Sequence, residues 1–104
     1  MAVTKITGDT FELVKNADTA VVDFYADWCG PCGMLSPIVE KLSTEYENVD
    51  FYKVDIDADM DIAQIYRIVS IPTLLFFKKG EVVGQVIGYV PEDELKAEID
   101  KAFA

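Results

Sequence analysis

Histidine is absent from the 104 residues, and cysteine appears only twice, at Cys29 and Cys32. A structural zinc takes four nitrogen or sulfur ligands, so this inventory cannot complete such a site within one chain. Two cysteines three positions apart cannot tie distant segments together either, which excludes the cross-linked framework of small secreted folds. Positive charge is scarce, with 9 Lys and Arg against 19 Asp and Glu and a formal net charge of −10. That excess repels phosphate backbones and anionic lipid, so neither a nucleic acid nor a membrane is expected as a partner. It serves equally as an ordinary soluble surface. Long apolar runs are missing: Thr73 to Phe77 falls far short of the roughly 20 residues that cross a bilayer. Met1 to Ile6 lacks a charged segment followed by an apolar one and a cleavage site, so the cytoplasm is the expected location. Repeats, linkers and low-complexity tracts are also lacking, which predicts one domain over residues 1–104.

What is present is a 51% hydrophobic chain, long enough to enclose one core without cross-links or metals. Val3 to Ile6 reads as a short strand. Asp9 and Glu12 have the spacing of a capping box opening a helix through Lys15, with Phe11 and Val14 turned inward. Ala20 to Ala26 is a nearly continuous apolar run, rich in β-branched and aromatic residues, which suits a central strand covered on both faces. From Cys32 the positions Leu35, Val39, Leu42 and Tyr46 step by three and four, the period of one helical face. Pro37 interrupts that helix and predicts a bend in its axis. Phe51 to Ile56 reads as another buried strand, and Asp59 to Tyr66 as a short helix burying Ile62, Ile65 and Tyr66. Thr73 to Phe77 and Glu81 to Ile87 flank Lys78-Lys79-Gly80 as an antiparallel hairpin. Pro91 then opens a last helix with Leu95, Ile99 and Phe103 as its buried stripe and three acids at its positive end. Helices on both faces of the sheet make an α/β sandwich.

Trp28-Cys29-Gly30-Pro31-Cys32 falls where the central strand gives way to the long helix. Unpaired backbone N–H groups and the helix dipole stabilise an anion there, which lowers the pKa of the leading thiol and makes Cys29 the nucleophile. A spacing of three places Cys32 beside it on one helical face, within reach of a disulfide, so Cys32 resolves what Cys29 captures. Lying one turn deeper, Cys32 is expected to keep its proton until then. Pro31 stiffens the turn and Gly30 leaves room for a substrate chain. The competing reading is a pair of ordinary buried thiols, or half a zinc site completed by a partner chain. A metal pair, however, gains nothing from Gly-Pro at a helix start. Asp23 is the only charge in its strand, and a carboxylate among apolar residues has a raised pKa and can accept a proton; an Asp at a wet strand edge is the alternative.

With Ile71-Pro72-Thr73 and Gly88 downstream, the motif and its preceding strand resemble the thioredoxin family over essentially the whole chain. The resemblance implies the thioredoxin fold, a three-layer α/β/α sandwich with a mixed sheet of about five strands and four helices. It implies a protein-disulfide reductase that cycles between Cys29/Cys32 dithiol and disulfide, with no bound cofactor. It makes Asp23 the buried aspartate that deprotonates Cys32, through water, and Lys53 the lysine that holds down the pKa of Asp23. A solvated lysine is the plain alternative for Lys53. Pro72 becomes the cis proline facing the cysteines, although the residues alone favour a trans proline at a strand start. The Ile71 backbone pairs with an extended substrate segment. Trp28, Gly30, Pro31, Ile71, Pro72, Gly88 and Tyr89 form the docking surface, with Trp28 equally readable as a plain surface or core aromatic and Gly88 as a turn residue. The implied partners are a thioredoxin reductase and disulfide clients such as ribonucleotide reductase, peroxiredoxin and methionine sulfoxide reductase, and the expected state is a monomer. Gly33 departs from the pattern, since the family usually carries Lys or Arg directly after the second cysteine; thiol pKa and reduction potential depend on that position.

Two other functions share these residues. An oxidase or isomerase of an oxidising compartment would run the exchange in reverse, but Gly-Pro between the cysteines counts against it. A pure binding module would survive replacement of both cysteines. Asp55, Asp57, Asp59 and Asp61 resemble a calcium loop, yet Met60 replaces its required Gly and Tyr66 its closing Glu, so they read as a solvated charged edge.

Overall fold

The computed structural model describes residues 3–104. The elements run β1 (Val3–Lys5), a 3-10 turn (Gly8–Thr10), α1 (Glu12–Asn16), β2 (Thr19–Tyr25), α2 (Gly30–Ser43), β3 (Asp50–Asp55), α3 (Met60–Ile65), β4 (Thr73–Lys78), β5 (Glu81–Ile87) and α4 (Glu92–Ala102). The strands form one sheet in the order β1-β3-β2-β4-β5, with β3 parallel to both β1 and β2. β4 is antiparallel to β2 and β5 antiparallel to β4. The sheet is mixed, and β2 lies at its centre as its apolar run predicts.

Alternation along the strands divides the interior into two cores. Val21, Phe51, Leu74 and Phe76 point to one face, where Leu35, Val39 and Leu42 of α2 and Leu95 and Ile99 of α4 cover them. Ala20, Val22, Phe24, Val54, Leu75 and Phe77 point to the other, against Phe11, Val14, Ile62 and Tyr66 from the α1 and α3 side. Asp23 is in phase with Val21, and Lys53 with Phe51, so both project to the face that α2 covers. The parallel register then sets Asp23 opposite Lys53. The β4–β5 hairpin closes through Lys79 and Gly80, with φ of 52° and 84°. Positive φ at both loop residues gives a twist that matches the strands it joins.

Several local expectations change. The Asp9/Glu12 box does not form; instead the Thr7 N–H donates to Thr10 Oγ1 at 2.9 Å, and the chain enters α1 through the 3-10 turn. Phe11 and Val14 are nonetheless buried. In α3 the buried residue is Ala63, while Ile65 is 66% exposed; six helical residues rotate Ile65 outward, and Ile62 and Tyr66 cover the sheet in its place. Pro91 is the residue preceding α4 rather than its first. Pro37 does lie inside α2, where it offers no N–H to the Gly33 carbonyl.

Candidate active site

The loop from β2 into α2 positions the cysteines. Cys29 is the N-cap of α2, and Gly30, Pro31 and Cys32 are its first three helical residues. An N-cap side chain ordinarily offers oxygen to the free amides of the first turn. Here the acceptor is sulfur: the Cys32 N–H donates to Cys29 Sγ at 3.2 Å. Cys29 and Cys32 are joined as a disulfide, with Cα atoms 5.3 Å apart. Cys29 retains 8% exposure and Cys32 only 4%, so the N-cap sulfur lies nearer the surface.

Across from the pair runs the segment entering β4. The Ile71–Pro72 bond is cis. The Ile71 carbonyl oxygen lies 3.8 Å from Cys29 Sγ, and the Pro72 carbonyl accepts from the Gly88 N–H at 2.8 Å. Gly88 itself has φ +88°, a conformation that glycine adopts without a side-chain penalty. Ile71, Pro72 and Gly88 are thereby gathered at one rim of the disulfide, with Tyr89 following at 41% exposure.

Behind the cysteines lies a cavity of about 230 Å³ bounded by Asp23, Tyr25, Cys32, Gly33, Ser36 and Lys53, among others. Asp23 is 4% exposed and its Oδ1 has no hydrogen-bond partner. Burial pushes its carboxyl up from 3.8 to about 7, with Lys53 pulling the other way. A carboxyl poised near neutrality can take a proton or give one back under cellular conditions. The wet-edge alternative for Asp23 is thus corrected, since β2 is the central strand.

Trp28, directly before Cys29, is 70% exposed, and its Nε1 donates to Asp57 Oδ2 at 2.7 Å. This contact revises the reading of the aspartate run as a merely solvated edge. Asp57 anchors the indole, Asp55 Oδ1 accepts from the Asp57 N–H, and Asp59 Oδ1 accepts from the Gly8 N–H, both at 2.9 Å. Sequence reasoning missed Asp57 because its partner lies 29 positions away. Gly33 sits in α2 with open space where a side chain would begin.

The family model for thioredoxin matches residues 2–101. The chain belongs to the thioredoxin family. Thioredoxin of Staphylococcus aureus is 40% identical over 102 residues, covering 97% of this chain and 98% of its own length. Among solved structures, a mutant thioredoxin of Halobacterium salinarum superposes with a TM-score of 0.92 at 36% identity, covering 99% of this chain and 92% of that one. The thioredoxin of Malassezia sympodialis gives 0.88 at 40% identity, with the same coverage. A chain from work on the thiol resolving mechanism of yeast mitochondrial 1-Cys peroxiredoxin gives 0.84 at 38%, covering 94% of each. The fold is therefore the thioredoxin fold that the family resemblance implies. Thiol-disulfide exchange through Cys29 and Cys32 is the chemistry of this site, and the activity is that of a protein-disulfide oxidoreductase.

Proposed function

We propose that the protein works as a general disulfide reductase in which Cys29 attacks and Cys32 resolves. The observation that carries this reading is the N-cap position of Cys29, with the Cys32 N–H aimed at its sulfur. In the reduced protein that amide and the free end of α2 favour the Cys29 thiolate. The thiolate attacks one sulfur of a client disulfide; the client's S–S bond breaks, its second sulfur leaves as a thiolate, and Cys29 holds the first in a mixed disulfide. Asp23 then takes the Cys32 proton through the cavity between them, which has room for water. The Cys32 thiolate attacks Cys29 Sγ, the mixed disulfide breaks, and the client leaves with both sulfurs reduced. Two electrons have passed to the client, and Cys29 and Cys32 are left as the disulfide.

Trp28, Gly30, Pro31, Ile71, Pro72 and Gly88 form the docking rim, and Lys53 tempers the carboxyl of Asp23. An extended client segment pairs with the Ile71 backbone in this scheme. Re-reduction by a separate thioredoxin reductase closes the cycle. Disulfide-bearing clients include peroxiredoxins, a class named in the study of one structural neighbour, along with ribonucleotide reductase and methionine sulfoxide reductase by family. The protein acts as a cytoplasmic, single-domain monomer without a bound cofactor; among the described residues no helix is long and apolar enough to cross a membrane.

Reduction of insulin disulfides, driven by dithiothreitol, tests the division of labour. Cys29→Ser should be inactive, and Cys32→Ser should accumulate mixed disulfide. Wild-type rates in both variants would overturn the assignment, and retention of partner binding without turnover would favour a binding module.

A further inference from the structure

Lys53 lies directly opposite Asp23 in the β2–β3 register, yet among the described residues the two form no ion pair within 4.0 Å. Its ammonium lies instead over the ring of Tyr25, with Nζ 5.6 Å from the centroid. Tyr25 is two residues beyond Asp23 on the same face of β2, half-buried against Ala26, Cys29 and Cys32, and it borders the same cavity as Asp23. The cation therefore has two acceptors within reach of one flexible stem, the buried carboxylate and the aromatic face.

We propose that Tyr25 is a positioning residue for the exchange reaction: its ring holds the Lys53 ammonium off Asp23, leaving that carboxylate free to take up and release a proton. The inference rests on the reading of Asp23 as the proton acceptor for Cys32. Lys53 already lowers the Asp23 pKa from where it stands; an ammonium closed into a direct ion pair with the carboxylate would favour the ionised form further and leave a weaker base for a thiol. An ammonium over an aromatic face is held by the ring quadrupole without neutralising the carboxylate. The surrounding charges do not remove this choice. Lys5 on β1 and Asp55 on β3 occupy the same face as Lys53, Asp27 follows at the end of β2, and α2 contributes Cys29 and Cys32. β4 places the apolar Leu74 opposite Asp23. Lys5 meets the hydroxyl end of Tyr25, the leading cause of its raised pKa, whereas Lys53 lies over the ring.

The test is an NMR titration of the Asp23 carboxyl carbon in the reduced protein. Tyr25→Phe keeps the ring and should titrate as the wild type does. Tyr25→Leu removes it and should lower the midpoint by roughly half a unit or more, as Lys53 closes on the carboxylate. Tyr25 replaced by trifluorophenylalanine keeps the shape while cancelling the ring quadrupole, and it should shift in the same direction even if the leucine variant folds poorly. In a Lys53→Met background both shifts should vanish. An unmoved midpoint in the fluorinated variant, or a shift that persists without Lys53, overturns the proposal. Mixed-disulfide resolution in Asp23→Asn is measured alongside. Wild-type resolution there would remove the proton-acceptor role of Asp23, whereas the titration bears on Tyr25 alone.

Discussion

Asp23 is the residue on which chemistry and stability conflict. Its carboxyl is lifted from 3.8 to about 7 because the folded state favours the neutral form. A raised folded-state pKa means that the native protein binds the extra proton. The associated stability is fully present below about pH 4 and is lost as pH rises toward 7. The full loss is about 4 kcal/mol. Asp23→Asn should therefore be more stable than the wild type by about 2–4 kcal/mol at pH 8 and nearly equal to it at pH 3, as measured by urea unfolding. Trp28, beside Cys29 in the chain, is the only tryptophan and is held at its nitrogen by Asp57. Asp57→Ala should free the indole and lower its fluorescence anisotropy, while costing at most about 1 kcal/mol because the bond is exposed. Both pairings depend on segments far apart in sequence. The apolar strand around Asp23 announces a buried acid, but the family resemblance alone points to Lys53, whose place opposite Asp23 is fixed by the parallel register of β2 and β3, and nothing local to Trp28 points to Asp57.

Among the elements, α2 is the most legible and the most burdened. Its buried positions Cys32, Leu35, Val39 and Leu42 follow the helical period, and its start is marked by Gly-Pro, so its position and buried face can be read directly. The short helices are harder to read, because five or six residues do not establish a face. α3 buries Ala63 and leaves Ile65 in solvent, and the turn before α1 uses Thr7 and Thr10 where Asp9 and Glu12 have the right spacing. Similar spacing patterns compete over so short a stretch, and tertiary contacts such as Gly8 to Asp59 decide between them. Within α2, Gly33 serves neither a tight contact nor a left-handed backbone. Gly33→Ala should therefore stabilise the protein by about 0.5–1 kcal/mol, read as a raised urea midpoint. Gly80→Ala should do the reverse, because its φ is +84° and an added Cβ would stand 3.0 Å from the Lys15 carbonyl oxygen.

At the scale of the molecule, a net charge of −10 surrounds a small, weakly exposed disulfide. Association with a basic disulfide partner should accordingly slow as salt is raised, whereas the subsequent exchange within the complex should respond far less. Stopped-flow measurement at two ionic strengths separates the two steps. The fold brings two separate segments to one sulfur: the turn from β2 into α2 and the cis Ile71–Pro72 segment. The decisive measurement is the titration of Cys29 in the reduced protein, followed by thiolate absorbance and by the pH dependence of alkylation. Cys29 should ionise at least a full unit below the value of about 8.5 for a free cysteine, ahead of Cys32. A Cys29 that titrates at the free value, or only after Cys32, would contradict its role as the attacking sulfur.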